Sequence, residues 1–129
     1  MLQGAIVWAP MIETDSLNEA EKIETLFSDP RIKHYWDPDR ILGKMLAQTL
    51  HLEISIAWDV YLVYSPDHSW NTGLPPAPKF WMHQLDEKPT LLLDPVRLRQ
   101  SVKWLLMVSR INNLFSKIIK VPKRKPFND

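Results

Sequence analysis

The sequence predicts a mixed α/β domain, and three observations carry that expectation. Three helix starts are written in capping chemistry, at Ser16, at Asp37-Pro38 and at Asp94-Pro95, each followed by apolar residues at helical spacing. Between the second and third lies a β-branched and aromatic run, Ala57 to Tyr64, followed after a long loop by a second short run, Phe80 to Leu85. The length of 129 residues, with 45% hydrophobic and 24% charged side chains, suits one domain with its own core.

Gly4 to Ile12 reads as a buried strand ended by Pro10 and the polar Glu13-Thr14-Asp15. Ser16 and Glu19 have the spacing of a capping box, and Leu17, Ala20, Ile23 and Leu26/Phe27 mark one helical face. Pro30 ends this helix near Asp29, because the residue before proline avoids helical geometry. Arg31 to Trp36 is expected to be a connector with some extended structure. Asp37 as N-cap and Pro38 at the first helical position open a second helix with Ile41, Leu42, Met45, Leu46, Thr49 and Leu50 inward. Gly43 either weakens this helix slightly or admits a close neighbour.

The Ala57–Tyr64 strand and the Phe80–Leu85 strand form an antiparallel hairpin across a loop of about fifteen residues, Ser65 to Lys79, which holds four prolines. Asp94-Pro95 starts the last helix, with Leu98, Val102, Leu105, Leu106 and Ser109 inward and a break expected at Asn112-Asn113. The domain is expected to span residues 4–119, and residues 120–129 to form a basic, mobile tail.

Composition excludes several functions. There is no cysteine, so these residues perform no thiol–disulfide chemistry and build no thiolate zinc site. No apolar run reaches the ~18 residues of a membrane span, and no signal peptide opens the chain, so no membrane association and a cytoplasmic location are expected. The four histidines stand at 34, 51, 68 and 83 without metal-ligand spacing, and no metal or other cofactor is expected. The net charge of +1 hides an asymmetry: residues 1–39 carry eight acidic and three basic side chains, residues 97–129 nine basic and one acidic. Two oppositely charged helix surfaces explain this; steering of an acidic partner or head-to-tail association is the functional alternative. The basic tail lacks interleaved aromatics, so sequence-specific nucleic-acid binding is not expected.

The candidate chemistry lies on the hairpin. Asp59 interrupts an apolar strand and, by alternation, shares a face with Tyr61 and Val63. If Tyr64 stands opposite Phe80, Trp81, His83 and Leu85 join that face, and Asp59, Tyr61 and His83 form one polar cluster. A histidine oriented by a carboxylate is the minimum for acid–base catalysis; the same group equally serves as a network that specifies the hairpin. His34 and Asp37 offer a second such pair, although Asp37 is explained as a helix cap. For ligand binding the candidates are Trp70 and His68 on the proline-stiffened loop, with Trp81 and Trp36 as aromatic walls.

The order strand–helix–helix–strand–strand–helix resembles the C-terminal part of a thioredoxin-like fold. More narrowly, Val7-Trp8-Ala9-Pro10-Met11, Asp29-Pro30-Arg31 through Tyr35-Trp36-Asp37, Ala57 to Tyr61 and Pro78 to Leu85 resemble the motifs of a bacterial thioredoxin-like group. The resemblance covers residues 5–108 and implies an incomplete α/β thioredoxin-like fold. It lacks the strand–helix unit bearing Cys-x-x-Cys, and the cis proline before Ala57 is replaced in Glu53-Ile54-Ser55-Ile56. The absent strand lies at the centre of such sheets, between the Gly4–Ile12 and Ala57–Tyr64 strands. Either these two strands pair directly, or a second chain supplies the strand, as in a homodimer, or the cysteine-bearing part of a longer oxidoreductase lies upstream. The expected function is a non-redox binding or protein-interaction domain acting on a protein partner or a small molecule, whose identity the sequence leaves open. The rival is a small hydrolase- or isomerase-like enzyme using Asp59, His83 and Tyr61.

Overall fold

The computed structural model describes residues 2–71 and 73–118, with side chains as far as Ile111. The element order is β1 (Gly4–Trp8), α1 (Leu17–Leu26), β2 (Ile32–Trp36), α2 (Ile41–Thr49), β3 (Val60–Val63), β4 (Phe80–His83), a 3-10 turn (Pro89–Leu91) and α3 (Pro95–Ile118). The architecture is mixed α/β, and its order corrects the expected one: the connector after α1 is a strand. Residues 120–129, expected to be a mobile tail, lie outside the described residues.

β1 and β2 pair in parallel, with Ile6 opposite His34 and Trp8 opposite Trp36. Both strands alternate. Ile6, Trp8, Ile32, His34 and Trp36 are half-buried, while Ala5, Val7, Lys33 and Tyr35 are exposed. α1 crosses between the strands, as a parallel pair requires. Its cap is half the expected box: Ser16 Oγ accepts from the Glu19 N–H at 3.3 Å, but the Glu19 carboxylate turns instead to Lys22 at 2.5 Å. β1 stops at Trp8, four residues short of the expected strand end. Beyond Pro10 the N–H groups of Met11 and Ile12 donate to the Asp15 carboxylate, at 2.8 and 2.9 Å, and turn the chain toward α1.

Asp37 does cap α2, from farther away than expected. Its two carboxylate oxygens accept from the N–H groups of Ile41 and Leu42 at 3.0 and 2.8 Å, across a turn in which Arg40 sits at φ 55°. Pro38 therefore lies in that turn and not in the first helical position. Gly43 is a close-approach glycine: a Cβ there would lie 2.8 Å from both the Ala57 carbonyl oxygen and Ile56 Cγ2. Ala57 N–H donates to the Gly43 carbonyl at 2.9 Å, which draws the segment after α2 back onto the helix.

β3 and β4 are antiparallel, with Val60 opposite His83, Tyr61 opposite Met82, Leu62 opposite Trp81 and Val63 opposite Phe80. Opposed residues share a face, so Val60, Leu62, Trp81 and His83 look one way and Tyr61, Val63, Phe80 and Met82 the other. The first face meets the core of Leu46, Ala47, Leu50 and Ala57, against which Leu42, Leu52, Val60, Leu62 and Trp81 pack. α3 packs against β4, and just before it the Asp94 N–H contacts the fully buried Met82 sulfur at 3.4 Å. Asp94 caps α3 as expected, accepting from Val96 and Arg97 at 2.8 and 3.1 Å. The helix then continues to Ile118 without the break expected at Asn112-Asn113.

The two strand pairs remain separate two-stranded sheets. β1 and β3, which direct pairing would have joined, are not neighbours in either.

Candidate functional site

The hairpin register decides the fate of the expected polar cluster. Val63, not Tyr64, stands opposite Phe80, one residue from the expected pairing. A one-residue slip exchanges the faces of a strand. His83 therefore joins Val60 and Leu62, while Tyr61 lies across the sheet. Asp59 lies before β3, not within it, at φ 49°, and is exposed. Its main-chain carbonyl accepts from the Gln84 N–H at 3.0 Å, and the Tyr61 hydroxyl donates to Gln84 Oε1 at 2.6 Å. Asp59 and Tyr61 thus stay neighbours: partial burial first, and then the Asp59 charge, push the Tyr61 hydroxyl above its usual pKa. The acid–base cluster loses its histidine.

His83 is fully buried and both ring nitrogens are committed to main chain. Leu85 N–H donates to Nδ1 at 3.0 Å, so Nδ1 carries no proton; Nε2 carries it and faces the Lys88 carbonyl at 3.0 Å. Lys88 in turn extends its Nζ to the carbonyls of Leu50 and His51 at 2.7 and 3.1 Å, at the C-terminus of α2, passing 5.6 Å from the centre of the Trp81 ring. Glu87 Oε1 accepts from the N–H groups of Glu53 and Ile54, both at 3.0 Å. The turn after β4 is thereby clamped to the turn after α2. This arrangement positions backbone; it leaves no lone pair of His83 free for proton transfer.

The second expected pair also separates. His34 Nδ1 accepts from the Trp8 indole at 3.2 Å, while the Asp37 carboxylate is spent on α2. His34 Nε2 is buried without a partner.

The ligand-binding candidates are spread over three places. Trp36 belongs to the parallel sheet and Trp81 to the hairpin, where it packs against α2. Trp70 is exposed on the loop and donates from its indole to the Gly73 carbonyl at 2.9 Å. His68 lies within a local turn: its N–H donates to the Ser65 carbonyl at 3.1 Å and its Nδ1 stands 2.8 Å from Ser65 Oγ. The Ser65 hydroxyl also donates to the Asp67 carboxylate, which holds that carboxyl below the usual carboxylate range. With its proton given to Asp67, Ser65 is not activated by His68. The loop is pinned at its far end by the buried Pro75, whose carbonyl accepts from Thr49 Oγ1 at 3.1 Å. No cluster of three metal-ligating side chains occurs among the described residues.

What the structure adds is open strand edges, on β1, on β3 and on the outer side of β2. Gly4 N–H donates to the Arg31 carbonyl and Asp37 N–H to the Trp8 carbonyl, both at 2.8 Å, so the even-numbered residues of β1 bond β2. The polar main-chain groups of Ala5 and Val7 then point away along the free edge. In β3 the Asp59 and Val63 carbonyls accept from Gln84 and Lys79, at 3.0 and 2.9 Å, so Val60 and Leu62 present their main-chain groups outward. The far edge of β4 is covered instead: Leu93 N–H donates to the His83 carbonyl at 2.8 Å, and Leu92 bridges His83. The sequence signalled the β1 and β3 edges only through the absent central strand.

Comparison with protein-family models, curated proteins and solved structures finds no match to this chain.

Proposed function

We propose that this chain is a non-redox, thioredoxin-like interaction domain that completes its sheet with an extended segment of a partner protein. The single observation that carries this reading is that β1 at Ala5 and Val7 and β3 at Val60 and Leu62 have unpaired edges. Unpaired strand edges are templates for an added strand, and a two-stranded sheet is marginal until it gains one. The element order supports the fold assignment: a strand–helix–strand unit, a linking helix, then a hairpin and a final helix. The absence of cysteine from these residues removes thiol exchange from the proposal.

Backbone amide exchange followed by NMR, with light scattering for molecular mass, tests it. In a monomer the amides of Ala5, Val7, Val60 and Leu62 should exchange close to free-chain rates, while those of Ile6, Tyr61 and Val63 are protected. Adding a peptide that copies residues 4–8 should slow the exchanging set and shift its resonances. Protection of all four amides in a monomer would mean that β1 and β3 pair in solution and would overturn the proposal. Protection in a dimer would overturn it too, by giving the edges to a second copy.

A further inference from the structure

The inner side of α3 is used against the hairpin: Leu98, Ser101, Val102, Leu105, Leu106, Val108 and Ser109 are all half-buried. Its outer side carries large apolar side chains among its polar ones. Val96, Trp104, Met107 and Ile111 remain 61, 58, 53 and 44% exposed. At 3.6 residues per turn these four share one side of the helix with the exposed Gln100, and the continuous apolar stripe begins at Trp104. From Trp104 the intervals are three and four residues, and in the sequence the same alternation continues to apolar positions 114 and 118. That 3–4 spacing is the seam of a helix pair, narrower than the broad apolar face with which a helix lies on lipid.

The charges beside the seam select its partner. Arg99, Lys103 and Arg110 flank one side, and among the described residues none of the three is in an ion pair. Arg97, on the other side, donates to the Thr90 carbonyl at 3.2 Å. The helix contains no acidic residue. A second copy laid antiparallel would set Lys103 and Arg110 against like charges, and laid parallel would set them beside Ser101 and Val108, without an anion in either case. We infer that the outer face of α3 docks an acidic amphipathic helix of another protein, whose apolar seam covers Trp104, Met107 and Ile111 and whose carboxylates answer Lys103 and Arg110. This uses a different surface from the strand edges and does not depend on them.

Two synthetic helical peptides serve as probes for the full chain, both with leucine at the seam positions, one flanked by glutamate and the other by lysine. Fluorescence anisotropy should show saturable binding of the glutamate peptide and none of the lysine peptide, weakening as salt rises. Trp104→Ser with Met107→Ser should weaken binding by about tenfold or more. Because both side chains are exposed, circular dichroism should show the fold retained; Lys103→Glu with Arg110→Glu, which leaves the seam intact, should transfer binding to the lysine peptide. Equal binding of the two peptides, or none, overturns the inference. So does concentration-dependent self-association in sedimentation velocity, which assigns the seam to a second copy, or co-sedimentation with phosphatidylglycerol vesicles without peptide binding, which assigns it to lipid.

Discussion

His83 and Lys88 are joined through the main chain: the imidazole Nε2 of the first meets the carbonyl of the second at 3.0 Å, inside the turn that leaves β4. Because Lys88 also caps α2 and Glu87 holds Glu53 and Ile54, one buried ring organises the contact between the hairpin and the linking helix.

Replacing His83 should therefore cost stability. His83→Ala leaves the Leu85 N–H and the Lys88 carbonyl without their partner in a fully buried place and opens a cavity, a loss of about 3 kcal/mol. Urea denaturation checks it; a change within experimental error would show that the ring does not organise this turn.

Lys88→Met keeps the aliphatic stem over Trp81 but removes the ammonium from the Leu50 and His51 carbonyls. A loss of about 1–2 kcal/mol is expected, since a charged donor at a helix C-terminus satisfies orphan carbonyls and opposes the helix dipole. Exchange of the amides in the last turn of α2 should accelerate in step.

Gly43→Ala tests two effects of opposite sign. Alanine favours a helix over glycine by about 1 kcal/mol. Here its Cβ would meet the Ala57 carbonyl oxygen and Ile56 Cγ2 at 2.8 Å, and the backbone carbonyl cannot rotate away because Ala57 is tied to Gly43. Overpacking of this kind costs about 1–3 kcal/mol, so net destabilisation is expected. A rise in Tm would show that the segment after α2 is free to move.

The Asp29 carboxyl is held down at about 2 by the Arg31 guanidinium and by the Arg31 N–H, both of which donate to it. The usual value is 3.8, so the folded state prefers the carboxylate: this contribution is fully present above about 4 and is lost as pH falls toward 2. A carboxyl-carbon NMR titration should place the Asp29 midpoint near 2, and Arg31→Gln should return it toward 3.8. An unshifted midpoint in the parent protein would mean that the clamp between α1 and β2 does not form in solution.

The local devices were legible in the residues. Ser16 and Asp94 cap where capping chemistry places them, and Leu42, Leu46 and Leu50 of the expected α2 stripe meet the core, although Ile41 at its start is exposed; these depend on neighbours a few positions away. β2 was partly legible: Ile32, His34 and Trp36 alternate with Lys33 and Tyr35, yet its hydrogen bonds go to β1 across α1, which no local pattern reveals. Asp37 shows the limit, since its two acceptors reach Ile41 and Leu42 only because Arg40 turns to positive φ.

By itself, then, the sequence determined the α/β class, the starts of α1 and α3, the presence of the hairpin and the exclusion of thiol chemistry. Tertiary structure alone decided which side of the hairpin His83 faces and that β1 and β3 stay apart. Both are matters of register and long-range pairing: a shift of one residue in a strand exchanges its faces, and an edge is open or closed according to what lies beside it.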